Sequence, residues 1–259
     1  MAQINTTVGD LEGNKRRVVE FGQRALQEAA DIVAFPEMTI TGYPPLDLLP
    51  PREVRPPAGN RRPNQEDFVL LNKKCVFEVA KELDGITAIV GFVDYDDSNL
   101  YNAAAILSDG RIQHAVHKTL LPTYDVFDEH RYFKPALENV PVLVNLGGHK
   151  ILLGTSICED IWDEEVGYGV KVVDGLVADG AEFIVNINAS PFHDKIRNVR
   201  LRILRTKAKR LGTAICYVNL VGGQDELVFD GESLAVDRDG RLIGAGQTRT
   251  VLRTRPQPQ

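Results

Sequence analysis

Three residues of this 259-residue chain could do chemistry, and each directly follows an apolar run. Glu37 follows DIVAFP at 31–36, Lys118 follows IQHAVH at 112–117, and Cys158 follows ILLGTSI at 151–157. In layered α/β folds, ligand sites collect outside the carboxyl ends of strands. If these three ends converge, the chemistry is coherent. Glu37, as general base, takes the thiol proton, and the Cys158 thiolate attacks an amide carbon. A thioester forms and water hydrolyses it. Lys118, held cationic by nearby carboxylates, stabilises the oxyanion, with the backbone N–H of Glu159 as a second donor. A plainer reading stands beside this one. Cys158 on its own stretch is equally a small buried hydrophobe, and Glu and Lys are common where loops begin.

The elements that would position these residues follow from periodicity. Helical spacing predicts helices over 13–30, with Val18, Val19, Phe21, Leu26 and Ala29 inward, and over 66–83, with Phe68, Leu71, Cys75 and Val79 inward. Further helices are expected at 165–178 and 194–211. Strands are expected at 2–9, 31–35, 86–93, 101–107, 112–118, 141–148, 151–157, 182–189 and 213–223, with hairpins at SDGR and at Asp239-Gly240. Many strands are apolar throughout, as in sheets covered on both faces. The expected fold class is α/β, with two packed mixed sheets and helices outside. One domain over 1–246 is expected, with an exposed Pro/Arg-rich loop at 50–65 and a patternless tail at 247–259.

Composition narrows the function. A net charge of −6 argues against general nucleic-acid binding. Helix 194–211 holds eight Lys or Arg in 18 residues. However, Ile196, Val199, Ile203 and Leu211 at helical spacing would pack inward and leave the basic residues solvated. An interface is the expected use of that face, and the family resemblance carried by the residues below implies a homo-oligomer. No apolar run reaches the length of a membrane span, and the first residues do not read as a signal peptide. Cys75, Cys158 and Cys216 are far apart and odd in number, with neither a disulfide framework nor a metal-binding spacing. A reducing cytoplasm and no metal are the expectation, and Cys75 and Cys216 fall at packing positions.

The residues also carry a resemblance. FPE at 35–37, HK at 117–118 and CEDIW at 158–162 resemble the signature segments of the nitrilase, or carbon–nitrogen hydrolase, superfamily. FPEMTITGYPPLDLL, KTLLPTYDVFDEHRYF, SICEDIW, NASPFH and VGGQDELVFDGES resemble, in order, the glutaminase domain of glutamine-dependent NAD synthetases. The resemblance implies a four-layer α-β-β-α sandwich and a Glu37–Lys118–Cys158 triad. It implies hydrolysis of the glutamine side-chain amide, with ammonia passed to a synthetase domain or subunit. Tyr124, Phe127 and Glu129 correspond to the loop lining the glutamine pocket, where Glu129 reads the substrate amino group or orients Lys118. Trp162 corresponds to an aromatic beside the nucleophile, Ser190 to a contact for the amino-acid end, and Tyr43 to the pocket wall. An ω-amidase, an aliphatic amidase or a silent scaffold of the same fold is the alternative.

The sequence also departs from the family pattern. The family pattern SPxHxGK reads SPFHDKIR here, as if the glycine were missing. Lys195, with Arg197 as rival, is expected to bind the substrate carboxylate. The stretch 50–65 has no counterpart in the pattern. These residues contain no pyrophosphate loop of the SGGxDS kind, so ATP and deamido-NAD are expected only at a separate synthetase unit, and hydrolysis needs no cofactor.

Overall fold

Asp10 caps the first helix, accepting the Gly13 N–H at 2.9 Å, so α1 (Leu11–Gln27) starts two residues earlier than periodicity suggests. The computed structural model describes residues 1–52 and 63–247. The expected loop at 50–65 and tail at 247–259 therefore lie largely outside the described residues. Residues 63–65 are not loop but the first turn of α2 (Pro63–Glu82), where proline is well tolerated.

The first sheet holds β1 (Ile32–Ala34), β2 (Thr87–Tyr95), β3 (Leu100–Ser108) and β4 (Arg111–His117), in that order. The β1–β2 pair is parallel and the others are antiparallel. The second sheet is built from β5 (Val142–Leu146), β6 (His149–Ile157), β7 (Phe183–Asn188), β8 (Ala214–Asn219), β11 (Leu234–Val236) and β12 (Leu242–Ala245). Its order is β12-β11-β8-β7-β6-β5, with β6, β7 and β8 parallel and the outer pairs antiparallel. A separate hairpin joins β9 (Val221–Gln224) and β10 (Leu227–Asp230). Two short helices, α3 (Asp163–Val166) and α4 (Val172–Ala178), follow the nucleophile strand, and the longer α5 (Ile196–Leu211) follows β7.

Three apolar interfaces make four layers. One lies between α1 and α2 and the first sheet, with Val18, Val79, Leu83, Val33 and Ala103. The second lies between the sheets, where Ile89, Ala104 and Ile106 meet Leu153, Ile157 and Val185. The third lies between α4 and α5 and the second sheet, with Val173, Leu176, Leu204, Ile184 and Ile215. The expected α-β-β-α architecture with two mixed sheets is the one present.

Several local expectations are corrected. Residues 2–9 form no strand; single bonds from Ala2 to Ala34 and from Val221 to Ile4 replace a ladder. Leu26, in the last turn of α1, is exposed, as is Ala29 beyond the helix end at Gln27, and Leu71 is 49% exposed. The buried stripe of α2 keeps Cys75 and Val79 and also takes in Val69, Asn72 and Val76, with Leu83 just past the helix end; Asn72 answers both the N–H and C=O of Val93. The helix expected at 165–178 is two helices, because Gly167 takes φ +84° and ends α3. The expected strand 213–223 breaks at Leu220, and β10 had no sequence signal strong enough to separate it from loop. On α5, Ile196, Ile203 and Leu204 pack inward, but Arg200 and Lys207 do too, each 1% exposed. The basic residues of that helix are therefore not all solvated. Cys75 is core, and Cys216 packs between the sheets.

Candidate active site

Glu37, Lys118 and Cys158 come together at one end of the sandwich. Glu37 and Lys118 follow β1 and β4 of the first sheet, and Cys158 follows β6 of the second. Lys118 is pinned by its own backbone, whose N–H reaches the Asn102 carbonyl at 2.8 Å. Its ammonium donates to Glu37 Oε1 and to Glu129 Oε1, both at 2.8 Å, and is 1% exposed. The Glu37 carboxylate also accepts from Asn102 Nδ2 at 2.6 Å and, through Oε2, from the Ala189 N–H at 2.9 Å. That last bond ties the end of β1 to the end of β7 across the two sheets. Cys158 has φ +45°, a rare conformation for a residue with a side chain, and begins a tight turn over Cys158–Ile161.

The electrostatics follow from burial and pairing. Burial alone would discharge Lys118, but Glu129 and Glu37 outweigh it and hold it well above the ordinary lysine range. Burial, then the Glu37 charge, pushes the Cys158 thiol well above the ordinary range, against the pull of Lys118. The resting thiol is thus protonated, and a base must take its proton before attack. Glu129, 4% exposed, is raised chiefly by burial and lowered by Lys118.

Tyr43 is buried and donates its hydroxyl to Glu129 Oε1 at 3.0 Å. It therefore braces the carboxylate that braces Lys118. Tyr124 is 42% exposed, meets Phe127 edge-on at 5.7 Å and donates to Glu159 Oε1 at 2.7 Å. Tyr168, which the sequence did not single out, donates to the same oxygen at 3.1 Å. Glu159 thus offers more than its backbone N–H: its buried side chain gathers two tyrosines beside Cys158. Trp162 packs instead into the core under α4 and α5, away from the Lys118 cluster.

Ser190 is 6% exposed, and its hydroxyl accepts from Arg200 at 3.0 Å. Arg200 also donates to the Ser190 and Pro191 carbonyls and grips Asp230 at 2.8 and 3.0 Å. Lys195 stands elsewhere. Its side chain is 79% exposed and lies 3.8 Å from Asp194. Its φ is +64°, in the left-handed region that favours glycine, and Ile196 after it is 4% exposed. Arg197 pairs with Glu232 at 2.8 Å. Asn102, which ties Glu37 to Glu129, was also missed; its signal is a lone amide on the apolar strand LYNAAAIL. Arg200 and Lys207 had one as well, since both fall on the 196/200/203/207/211 stripe of α5. Among the described residues no cluster of His, Cys, Asp or Glu could hold a metal ion.

A carboxylate, an ammonium and a thiol thus converge from both sheets of a layered α/β sandwich, the arrangement of a hydrolase. The chain belongs to the carbon–nitrogen hydrolase family, whose model matches residues 1–254. It is 38% identical to glutamine-dependent NAD(+) synthetases of Thermotoga maritima, over 95% of this chain, and Aquifex aeolicus, over 94%. It spans 39% of the length of each. The solved glutamine-dependent NAD+ synthetase of Acinetobacter baumannii superposes with a TM-score of 0.81 at 32% identity, covering 96% of this chain and 43% of that one. A nitrilase-superfamily amidase from Nesterenkonia AN1, 20% identical, shares the fold with a TM-score of 0.73 over 95% of this chain and 84% of that one.

Proposed function

We propose that this chain hydrolyses the side-chain amide of glutamine through a thioester on Cys158 and supplies ammonia to an NAD synthetase unit. The single observation that carries the chemistry is the Glu37–Lys118–Glu129 cluster beside a protonated thiol. Glu37 removes the thiol proton as sulfur attacks the amide carbon. The carbonyl electron pair moves onto oxygen, which takes the third N–H of Lys118 and the backbone N–H of Glu159. Collapse breaks the C–N bond, and protonated Glu37 gives its proton to the departing nitrogen, releasing ammonia. Water then enters, loses a proton to Glu37 and attacks the thioester. The acid leaves, and the proton returns to sulfur. The Glu159 carboxylate, held by Tyr124 and Tyr168, places negative charge where a substrate ammonium would lie. Phe127, Tyr43 and Ser190 complete the pocket.

Glutamine is favoured by the relatives' name and by their coverage of nearly the whole chain. In this reading ATP and deamido-NAD are handled by the synthetase unit, the hydrolysis needs no cofactor, the setting is a reducing cytoplasm, and copies of the chain associate. Among the described residues no helix is long and apolar enough to cross a membrane. One observation favours the amidase alternative. Lys195 points to the surface and Arg197 is held by Glu232, so the expected partner for a substrate carboxylate is not in place. Ammonia release from glutamine, asparagine and simple aliphatic amides, by wild type and Cys158→Ala, tests both. Glutamine should be the best substrate, and the variant should be silent. Equal release by both proteins would overturn the catalytic assignment; faster turnover of simple amides would replace glutamine.

A further inference from the structure

The candidate reacting groups hang from two different sheets. Lys118 ends β4 in the first and Cys158 ends β6 in the second, so whatever ties those two strand ends together sets their relation. Asp160 makes that tie. It is 0% exposed. Its Oδ2 accepts the N–H of Ile157, the residue before the nucleophile, at 3.0 Å. Its Oδ1 accepts the N–H groups of Leu120 at 2.8 Å and Thr119 at 3.1 Å, the two residues directly after Lys118. One carboxylate therefore grips the backbone on both segments. Bonds to an ionised acceptor are the strong class. The grip also falls on a turn that needs support, because Cys158 is held at φ +45°. Lys118 owes its charge to Glu37 and Glu129, and those two carboxylates are engaged with Asn102, Tyr43 and Ala189. None of these contacts touches the backbone on both sides of the gap between Lys118 and Cys158.

We propose that Asp160 is a positioning residue: by holding the Ile157, Thr119 and Leu120 N–H groups at once, it locks the nucleophile turn against the end of the lysine strand. The proposal rests on the reading of Cys158 as nucleophile and Lys118 as oxyanion partner. It assigns Asp160 no contact with substrate. Chemistry makes the claim testable with a substitution of nearly the same shape. A carboxylate accepts at both oxygens, whereas a carboxamide accepts at one and donates from the other. Asp160→Asn must therefore set an N–H2 against at least one of the three N–H groups.

The experiment compares the full chain as wild type, Asp160→Asn and Cys158→Ala. Backbone hydrogen exchange is followed at Ile157, Thr119 and Leu120, and kcat and KM are measured for the best amide. In the wild type all three amides should be protected. In D160N at least one should exchange roughly tenfold faster. Its kcat should fall by about 30-fold or more, because small misplacements of reacting groups cost that much. KM should stay within about threefold, which a general loosening of the pocket would not allow. A kcat within about threefold of wild type overturns the proposal, as does a parallel loss of kcat, KM and protection throughout β4 and β6. If the wild type turns over no amide, the functional reading fails, and the exchange data alone still decide whether the clamp exists. Should D160N not fold, Asp160→Glu keeps both acceptor oxygens one methylene further out. It should retain protection at some of the three amides and lose kcat. Unprotected Ile157, Thr119 and Leu120 in the wild type overturn the proposal with no variant at all.

Discussion

Lys118 and Lys207 are both 1% exposed, and each sits among carboxylates, yet their surroundings differ in kind. Lys118 lies between Glu37 and Glu129, both buried, with a thiol beside them. Two carboxylates face one ammonium there, and every further partner is a neutral donor. Lys207 bonds Asp163 directly and lies 3.8 Å from Asp174, which Arg210 also grips; Arg210 reaches Glu164, and Glu164 reaches Lys171. Three acids meet three bases in that cluster, and its outer members are partly open to water. A buried lysine with balanced neighbours holds elements together, in this case the start of α3, α4 and α5. A buried lysine with surplus negative charge does more. It stays cationic against desolvation and holds a carboxylate where the proposed base must stand.

Removing each lysine is the strongest way to break this contrast. Lys118→Met should cost about 10²–10³-fold or more in amide turnover, the scale of a lost oxyanion donor. Ammonia release checks this, and a loss under tenfold would put Lys118 in the same structural class as Lys207. Lys207→Met should act on the fold instead. It strands the buried Asp163 carboxylate, which should lower unfolding free energy by about 3–5 kcal/mol. Turnover per folded molecule, measured alongside denaturant unfolding, should stay within about twofold. A collapse of turnover without a loss of stability would erase the distinction.

The difference between the two clusters also marks how far the sequence is legible. Apolar runs of strand length located both sheets, and the residues just beyond three of them, Glu37, Lys118 and Cys158, are the ones that converge. Periodicity registers which positions face inward; it does not see what waits there. Arg200 and Lys207 share a stripe with Ile196 and Ile203, but only Asp230 and Asp163, 30 and 44 residues away, make burial of their charge tolerable. Asn102 reads as a blemish in an apolar strand until Glu37 and Glu129 are seen on either side of it. Lys195 was read for its charge, but its side chain stands in solvent beside Asp194. Trp162, beside the nucleophile in sequence, is carried into the outer core by the turn of the chain.

A second contrast lies in how pH acts on Asp160. Burial raises its carboxyl to about 7, against three backbone N–H donors and the Lys118 charge. In the unfolded chain it titrates near the ordinary aspartate value of about 3.9. Between about pH 4 and 7 the unfolded state has therefore given up a proton that the folded state keeps, and stability falls as pH rises through that window. The protonated form favours the fold, and the ionised form grips all three N–H groups. Wild type should lose on the order of 1–3 kcal/mol relative to Asp160→Asn between pH 4.5 and 7.5. Denaturant unfolding at both values checks the sign; an unchanged difference would mean that the carboxyl is already ionised in the folded state at the lower pH.

The smallest effect belongs at the open edge of the balanced cluster. Arg210 is 38% exposed on its side chain and pairs with Asp174 and Glu164, themselves 21% and 36% exposed. Water and ions reach such a pair, so its worth is limited to the scale of a surface ion pair. Arg210→Ala should cost about 0.2–1 kcal/mol at low salt. In 1 M salt, where screening acts within about 3 Å, most of that cost should vanish. The same salt titration on Lys207→Met should leave its larger penalty almost intact, because Asp163 is 1% exposed and ions do not reach it. Equal salt sensitivity in the two variants would show that water enters beneath α5, and that Lys207 is no more buried in solution than Arg210.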